Sequence, residues 1–267
     1  MKTLIWIAFG MFSATLLWAE PKKEFPAHWG KPPEIQLRDY VELPNGYGHG
    51  SSTLRNWITT NLQTDQAGTG EAKPVATALY ANDFEKAVAG AVPDDMMILG
   101  GEFTVKSSGT NQFLELPGSP LDSFAVQFGP AVQDSVAVNA RVCGTAKGRR
   151  APTFGVGLGG VSGWKLQVSP GKKAVELLKD QELKATVAYD WKSGTWTQLW
   201  LEIRKVKDGE WSVEGKVWAS SEREPKTPLI TVDEKEEPIS GKASILGSPF
   251  AGTPVWYDDL QVLSVAK

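Results

Sequence analysis

Carboxylates are the first residues to test for chemistry, and they bunch at Asp94-Asp95, at Asp233-Glu234-Lys235-Glu236-Glu237 and at Asp258-Asp259. Glycoside hydrolysis needs two carboxyl groups flanking the scissile bond, about 5–5.5 Å apart for retention and wider for inversion. The 233–237 run carries Glu234 and Glu237 but abuts Pro238 between strands. It reads as a solvated loop, since like charges bunch where water screens them. Neither a Gly-x-Ser-x-Gly elbow nor a His-Glu-x-x-His zinc motif occurs. The only histidines are His28 and His49. His49 sits between Gly48 and Gly50 and ahead of Ser51, so it could act as a base; a loop histidine of no special role is the simpler reading. No catalytic residue is assigned.

The chain holds 11 tryptophans, and their spacing is more informative. Sugar rings stack apolar C–H faces on flat aromatics while their hydroxyls seek amides and charges. In Thr195–Arg204, Leu199, Leu201 and Ile203 form one face of a strand, leaving Trp196, Gln198, Trp200, Glu202 and Arg204 on the other. In Trp211–Ala219, Trp211, Val213 and Val217 form the apolar face, with Glu214, Lys216 and Trp218 opposite. Lys207-Asp208-Gly209-Glu210 is tight hairpin chemistry, making the two strands neighbours. Trp196, Trp200 and Trp218 could then share a face with Glu202, Glu214 and Lys216. Such a face suits a glycan platform, and it equally suits a sheet covered by an appended helix. The sequence leaves both readings open. Trp164 and Trp191 lie at strand ends and read as core, while Asn139 and Arg141 point away from their strand's apolar side and read as ordinarily exposed.

These positions belong to a long run of short strands. Phe103 and Val105 alternate with polar neighbours, as do Val136, Val138, Ala140 and Val142, and then Phe154, Val156 and Leu158. Further runs follow at Trp164–Val168, Lys184–Tyr189, Trp196–Val206, Trp211–Trp218, Lys242–Leu246 and Val255–Val265. Gly, Pro, Asp or Ser bounds each one. Many strands without intervening helices predict an all-β, two-sheet antiparallel jelly-roll sandwich over residues 79–267. No fixed-period repeat points to a propeller or solenoid.

Ahead of the sandwich, residues 1–19 read as a signal peptide. Lys2 is followed by an apolar stretch from Leu4 to Leu17 that is too short to span a bilayer, with small Ala19 at the expected cut. Residues 20–65 form a Pro/Gly-rich extension with one amphipathic helix over about 51–63. Ser51-Ser52 would cap it, and Leu54, Trp57, Ile58 and Leu62 would lie on one face. Residues 66–78 read as a linker. Cleavage would leave 248 of the 267 residues, secreted or periplasmic, with 27 basic against 31 acidic side chains. That balance argues against nucleic acid, which asks for a basic face. No second long apolar run predicts membrane insertion after cleavage. One cysteine, Cys143, cannot form an internal disulfide, so burial must hold the fold together.

Asn82-Asp83-Phe84-Glu85 and Val255-Trp256-Tyr257-Asp258-Asp259-Leu260-Gln261-Val262 bracket the sandwich. Between them lie Gly101-Glu102-Phe103-Thr104-Val105, Trp164-Lys165-Leu166 and Trp196-Thr197-Gln198-Leu199-Trp200-Leu201. In this order they resemble the concanavalin A-like lectin/glucanase superfamily, of laminin-G-like jelly-roll type, over about residues 80–265. The segment from Trp29 to Trp57 resembles an N-terminal extension of bacterial secreted proteins. The resemblance implies that the first and last strands lie side by side. It also implies a lectin, a glycan-binding module, a glycanase or a structural domain. The Glu-x-Asp-x-x-Glu strand of the glucanases is absent here. If the terminal strands pair, Asp83, Glu85 and Asp258 converge, and with backbone carbonyls they could hold a structural calcium. The function expected is a non-catalytic sandwich that binds polysaccharide or serves in a cell-envelope assembly. The alternatives are a glycan-acting hydrolase or lyase with unassigned acids, and a structural domain that engages a protein partner. No other cofactor is expected.

Overall fold

The computed structural model describes residues 77–265. The expected signal peptide, extension, helix and most of the linker therefore lie outside the described residues. Fifteen strands make two antiparallel sheets. One sheet contains β1 (Thr77–Asn82), β3 (Thr104–Ser108), β4 (Asn111–Leu116), β6 (Val136–Gly144), β11 (Trp196–Lys207), β12 (Glu210–Ala219), β13 (Ile230–Glu234) and β15 (Val255–Ser264). Its order is β13-β12-β11-β6-β15-β4-β3, with β1 also paired to β15. The other contains β2 (Met97–Gly100), β5 (Phe124–Val132), β7 (Thr153–Leu158), β8 (Trp164–Ser169), β9 (Ala174–Lys179), β10 (Glu182–Ala188) and β14 (Gly241–Ser248). Its order is β10-β9-β8-β7-β14-β5-β2. The all-β sandwich expected from the strand pattern is the fold.

Period two explains which residues meet between the sheets. Val136, Val138, Ala140 and Val142 of β6 are buried with Leu199, Leu201 and Ile203 of β11 and with Val156, Leu158 and Leu166 from the facing sheet. Apolar residues on alternate positions are removed from water while their neighbours face outward. Trp164 is fully buried in this core, and Trp191 packs at its margin, edge-on to Phe154 at 5.8 Å. Tyr257 is also wholly buried, and its hydroxyl donates to the Leu246 carbonyl at 2.9 Å. That bond gives a core phenol the partner it needs.

The terminal strands do pair: Asn82 lies opposite Leu260 and Thr77 opposite Ser264. The first half of β15 pairs with β4 instead, Val255 opposite Leu116. Between the halves, register shifts around Asp258 and Gln261, and Asp259 adopts φ 50°. A left-handed residue there lets one strand serve two neighbours on the same side.

The β11–β12 hairpin forms as its turn chemistry dictates, with Lys207 opposite Glu210 and Gly209 at φ 74°. A second tight hairpin joins β9 to β10. It uses Asp180 (φ 46°) and Gln181 (φ 69°), both left-handed without a glycine. β13 corrects one expectation: Asp233 and Glu234 end that strand, so only Lys235 to Glu237 of the acidic run is loop.

Candidate functional site

Two outer faces present side chains to solvent. On the eight-stranded sheet, β11 turns Trp196, Gln198, Trp200, Glu202 and Arg204 outward, each partly exposed. Cross-strand register sets Gln198 opposite Trp218, Trp200 opposite Lys216 and Glu202 opposite Glu214. The residues singled out as a platform therefore share one face. Their polar atoms, however, are already occupied. Glu202 accepts from Arg204 Nε at 2.8 Å and from the Trp200 indole at 3.2 Å. Glu214 accepts from Arg204 Nη2 at 3.0 Å and from Ser212 at 3.2 Å. Lys216 donates to Glu224 and sits 5.9 Å from the centre of the Trp200 ring. All four carboxylate oxygens of the Glu202–Glu214 pair thus accept a hydrogen bond from within the fold.

Next to this pair lies an aromatic cluster that the sequence did not announce. Phe113 of β4, Trp196 of β11 and Trp256 of β15 pack on the outer side of the sheet, Phe113–Trp256 centroids being 4.9 Å apart. Cys143 lies opposite both tryptophans, and burial pushes its thiol up from the ordinary value. The Arg141 guanidinium stacks 4.7 Å from the Trp196 ring and pairs with Asp258 and Asp259. Asn139 accepts from Gln198 at 2.8 Å and donates to Gln261 at 3.2 Å. The expectation that Arg141 and Asn139 are ordinarily exposed is therefore corrected. Both are built into a network, because their neighbours across two strand pairs are also polar.

The three carboxylates considered for calcium are each engaged elsewhere. Asp258 is 1% exposed and accepts from Arg141 and Asn111. Asp83 accepts from the Glu85 backbone, and Glu85 from the Gln112 backbone at 3.0 Å. Among the described residues no three His, Cys, Asp or Glu side chains are grouped so as to hold a metal ion.

The outer face of the seven-stranded sheet is different. Here β14, β7 and β8 lie side by side, and register produces transverse rows of residues. In one row, Gln127, Ser244, Gly157, Lys165 and Leu178 are successive cross-strand partners. In the next row stand Ala125, Leu246, Gly155, Gln167 and Glu176. Gly155 and Gly157 carry no side chain, so β14 and β8 form two walls whose side chains close over β7 from either side. The walls stand two strand spacings apart, roughly 10 Å between Cα atoms. A Cβ at Gly157 would lie 2.6 Å from Ser244 Oγ and 3.6 Å from Lys165 Cγ, so the Ser244 hydroxyl and the Lys165 stem already occupy the space above that glycine.

Two adjoining depressions occupy this face, of about 220 and 110 Å³. Together they are comparable with the smaller ligand clefts, which begin near ~300 Å³. Phe124, Leu246 and Lys165 line both, with Leu99 and Gln127 at one end and Gln167 and Ser248 at the other. Lys165 is 8% exposed and makes no ion pair among the described residues. Burial lowers its ammonium pKa, partly offset by the Asp180 charge. The Ser244 hydroxyl is buried without a partner. Glu176, only 2% exposed, stands behind the wall. Burial alone would raise its carboxyl, but hydrogen bonds from Lys172, Ser169 and Gln167 hold it below the usual value. Gln181, which also lines the groove, is one of the two left-handed turn residues. Backbone strain of that kind collects at binding sites.

The sequence carried a trace of this groove. Lys165 and Gln167 alternate with Trp164, Leu166 and Val168, and Gly155 and Gly157 alternate with Phe154, Val156 and Leu158. What it lacked was register: β14 is remote in sequence from β7 yet lies beside it.

No protein-family model matches the chain, and no curated protein matches it. Solved structures do. One is a protein of unknown function with a galectin-like fold from Bacillus subtilis, 14% identical, with a TM-score of 0.50, covering 72% of this chain and 98% of that one. Another is the Emp47p carbohydrate recognition domain, 10% identical, with a TM-score of 0.50, covering 74% and 100%. At these identities the likeness is one of fold alone, a galectin-like jelly roll, which is the architecture that the bracketing phrases implied.

Proposed function

We propose that this is an exported, non-catalytic glycan-binding sandwich whose ligand lies in the groove of the seven-stranded sheet. One observation carries the reading: a groove lined by hydrogen-bonding groups that the fold itself leaves unused. Phe124, Leu99 and Leu246 offer apolar surface for C–H faces, and Gln127, Ser244 and Lys165 offer donors for hydroxyl or acid oxygens. The fold shared with a carbohydrate recognition domain supports this reading. Export is supported by the Lys2 and Leu4–Leu17 pattern ahead of Ala19. No helix among the described residues is long and apolar enough to cross a membrane.

A second reading places the sugar on the opposite face, where Trp200 and Trp218 are partly exposed on either side of Lys216. One experiment separates the two. Retention of the protein in native gels cast with a panel of soluble polysaccharides is compared for the parent, for Gln127→Ala with Gln181→Ala, and for Trp200→Ala with Trp218→Ala. The groove reading expects the glutamine pair to lose retention and the tryptophan pair to keep it. The reverse pattern moves the ligand to the tryptophan face, and a parent retarded by no polysaccharide rejects glycan binding.

A further inference from the structure

Resting on that groove reading, we infer that the groove selects an acidic glycan, recognising one sugar-borne anion with Lys165, Ser244 and Gln127. The three residues stand in one transverse row of the sheet, Gln127 beside Ser244 and Ser244 separated from Lys165 by Gly157. Each can donate: an ammonium, a hydroxyl with no partner, and an amide.

The electrostatics of the lining point the same way. Neither depression has an Asp or Glu in its wall, whereas both contain Lys165. The nearest carboxylate in the rows, Glu176, is already committed to Lys172, Ser169 and Gln167. Lys216, buried to the same 8% exposure, is tied to Glu224, and Lys179 to Glu234 and Glu236. Lys165 is more deeply buried than most and has none. A desolvated cation that forms no ion pair, and whose burial the Asp180 charge offsets only in part, is costly. A carboxylate or sulfate on a sugar completes it through a charge-assisted hydrogen bond.

General basicity cannot substitute for this local feature, because the chain carries a net charge of −3. A polyanion drawn to the protein must therefore find a particular cation rather than a positive surface.

The test uses four polymers in solution with the full chain: a polyuronate, the same polyuronate with its carboxyls methyl-esterified, a sulfated polysaccharide and a neutral glucan. Binding is read by calorimetry or by gel retardation. The inference expects the free acid to bind roughly tenfold or more tightly than its ester, the value of one charge-assisted contact. Lys165→Gln should erase that difference, so that the free acid binds no more tightly than its ester. Ser244→Ala should reduce it in part. Preference for the sulfated polymer over the polyuronate assigns the anion as a sulfate ester, and the opposite preference assigns it as a carboxylate. If acid, ester and glucan bind equally and Lys165→Gln changes none of them, the anion inference falls while the groove reading stands. If no polymer binds, both fall.

Discussion

Replacing Lys165 by methionine should make this protein harder to unfold and worse at holding an acidic ligand. Methionine keeps the length and apolar character of the lysine stem, which runs beside Gly157, and removes only the ammonium. Lys165 as a residue is 8% exposed, and its ammonium pairs with no carboxylate among the described residues. Lifting a desolvation that only the Asp180 charge partly offsets belongs to the class of function-for-stability substitutions that yield about 0.5–2 kcal/mol. For a domain of this size, 1 kcal/mol corresponds to roughly 2–4 °C in Tm. The sign with pH follows from the direction of the shift. Burial lowers the folded-state pKa of Lys165, with Asp180 opposing. The cost of the charge is then fully present below that lowered value, shrinks as pH rises through it, and is gone above the ordinary lysine value. Calorimetric melts of parent and Lys165→Met at neutral pH and in steps toward alkaline pH should therefore converge. A variant that melts lower than the parent at neutral pH would show that the ammonium has a stabilising partner within the fold, and the case for an external counter-charge would fail. A constant difference at every pH would equally remove it.

Two further outcomes concern the network on the opposite face. Asp258→Ala deprives Arg141 and Asn111 of their shared acceptor. Because Arg141 remains 25% exposed and keeps Asp259 at 3.0 Å, the loss should be about 2–3 kcal/mol, below the 3–5 of a fully buried pair; urea titration at unchanged m is the measurement. Asp259 has its pKa raised, by burial first, then by Asp258, with Asp83 and Glu85 adding and Arg141 opposing. A raised carboxylate costs stability above its folded pKa, so Asp259→Asn should match or exceed the parent at neutral pH and lose that advantage as pH falls toward the ordinary value. Asp259→Ala should fall about 1 kcal/mol below Asp259→Asn, because φ 50° suits Asn and not Ala; paired thermal melts decide it.

The strands that sequence could see were those with clean alternation. Val136 to Val142 and Leu199 to Ile203 fill one face and leave the other polar, and period two then places both in a half-buried sheet. Other strands were silent for physical reasons. β9 reads Ala-Val-Glu-Leu-Leu-Lys, a nearly continuous apolar run, and Glu176 within it is buried through hydrogen bonds rather than exposed. β5 contains Gly129-Pro130, which looks like a break, but Gly129 takes φ 69° and the strand continues past it. β4 buries adjacent Phe113 and Leu114, one under the outer aromatic cluster and one in the core, which no single periodicity describes. The tryptophan face was legible because a two-residue turn fixes its register locally. The groove needed β14 beside β7, a pairing set by the global topology.

The two outer faces obey the same strand rule and differ in the condition of their polar atoms. Between Glu202 and Lys216 each charge is answered by a neighbour, so the surface is stable without a ligand and offers a newcomer chiefly indole faces. The groove has the opposite economy. The Ser244 hydroxyl is held out of water without a partner, and Lys165 forms no ion pair, the Asp180 charge offsetting its burial only in part; an unsatisfied buried polar group costs about 1–3 kcal/mol. With one buried, unpaired cysteine and therefore no disulfide among the described residues, this sandwich offsets that cost by burial, hydrogen bonds and ion pairs. Apolar residues in the same row would pack as well and fold better; Leu246, one row away, shows that the sheet accepts them there. Residues that weaken a fold in the place where it opens to solvent point to what they hold, and a groove with a lysine and no acid in its lining fits the anion inferred above.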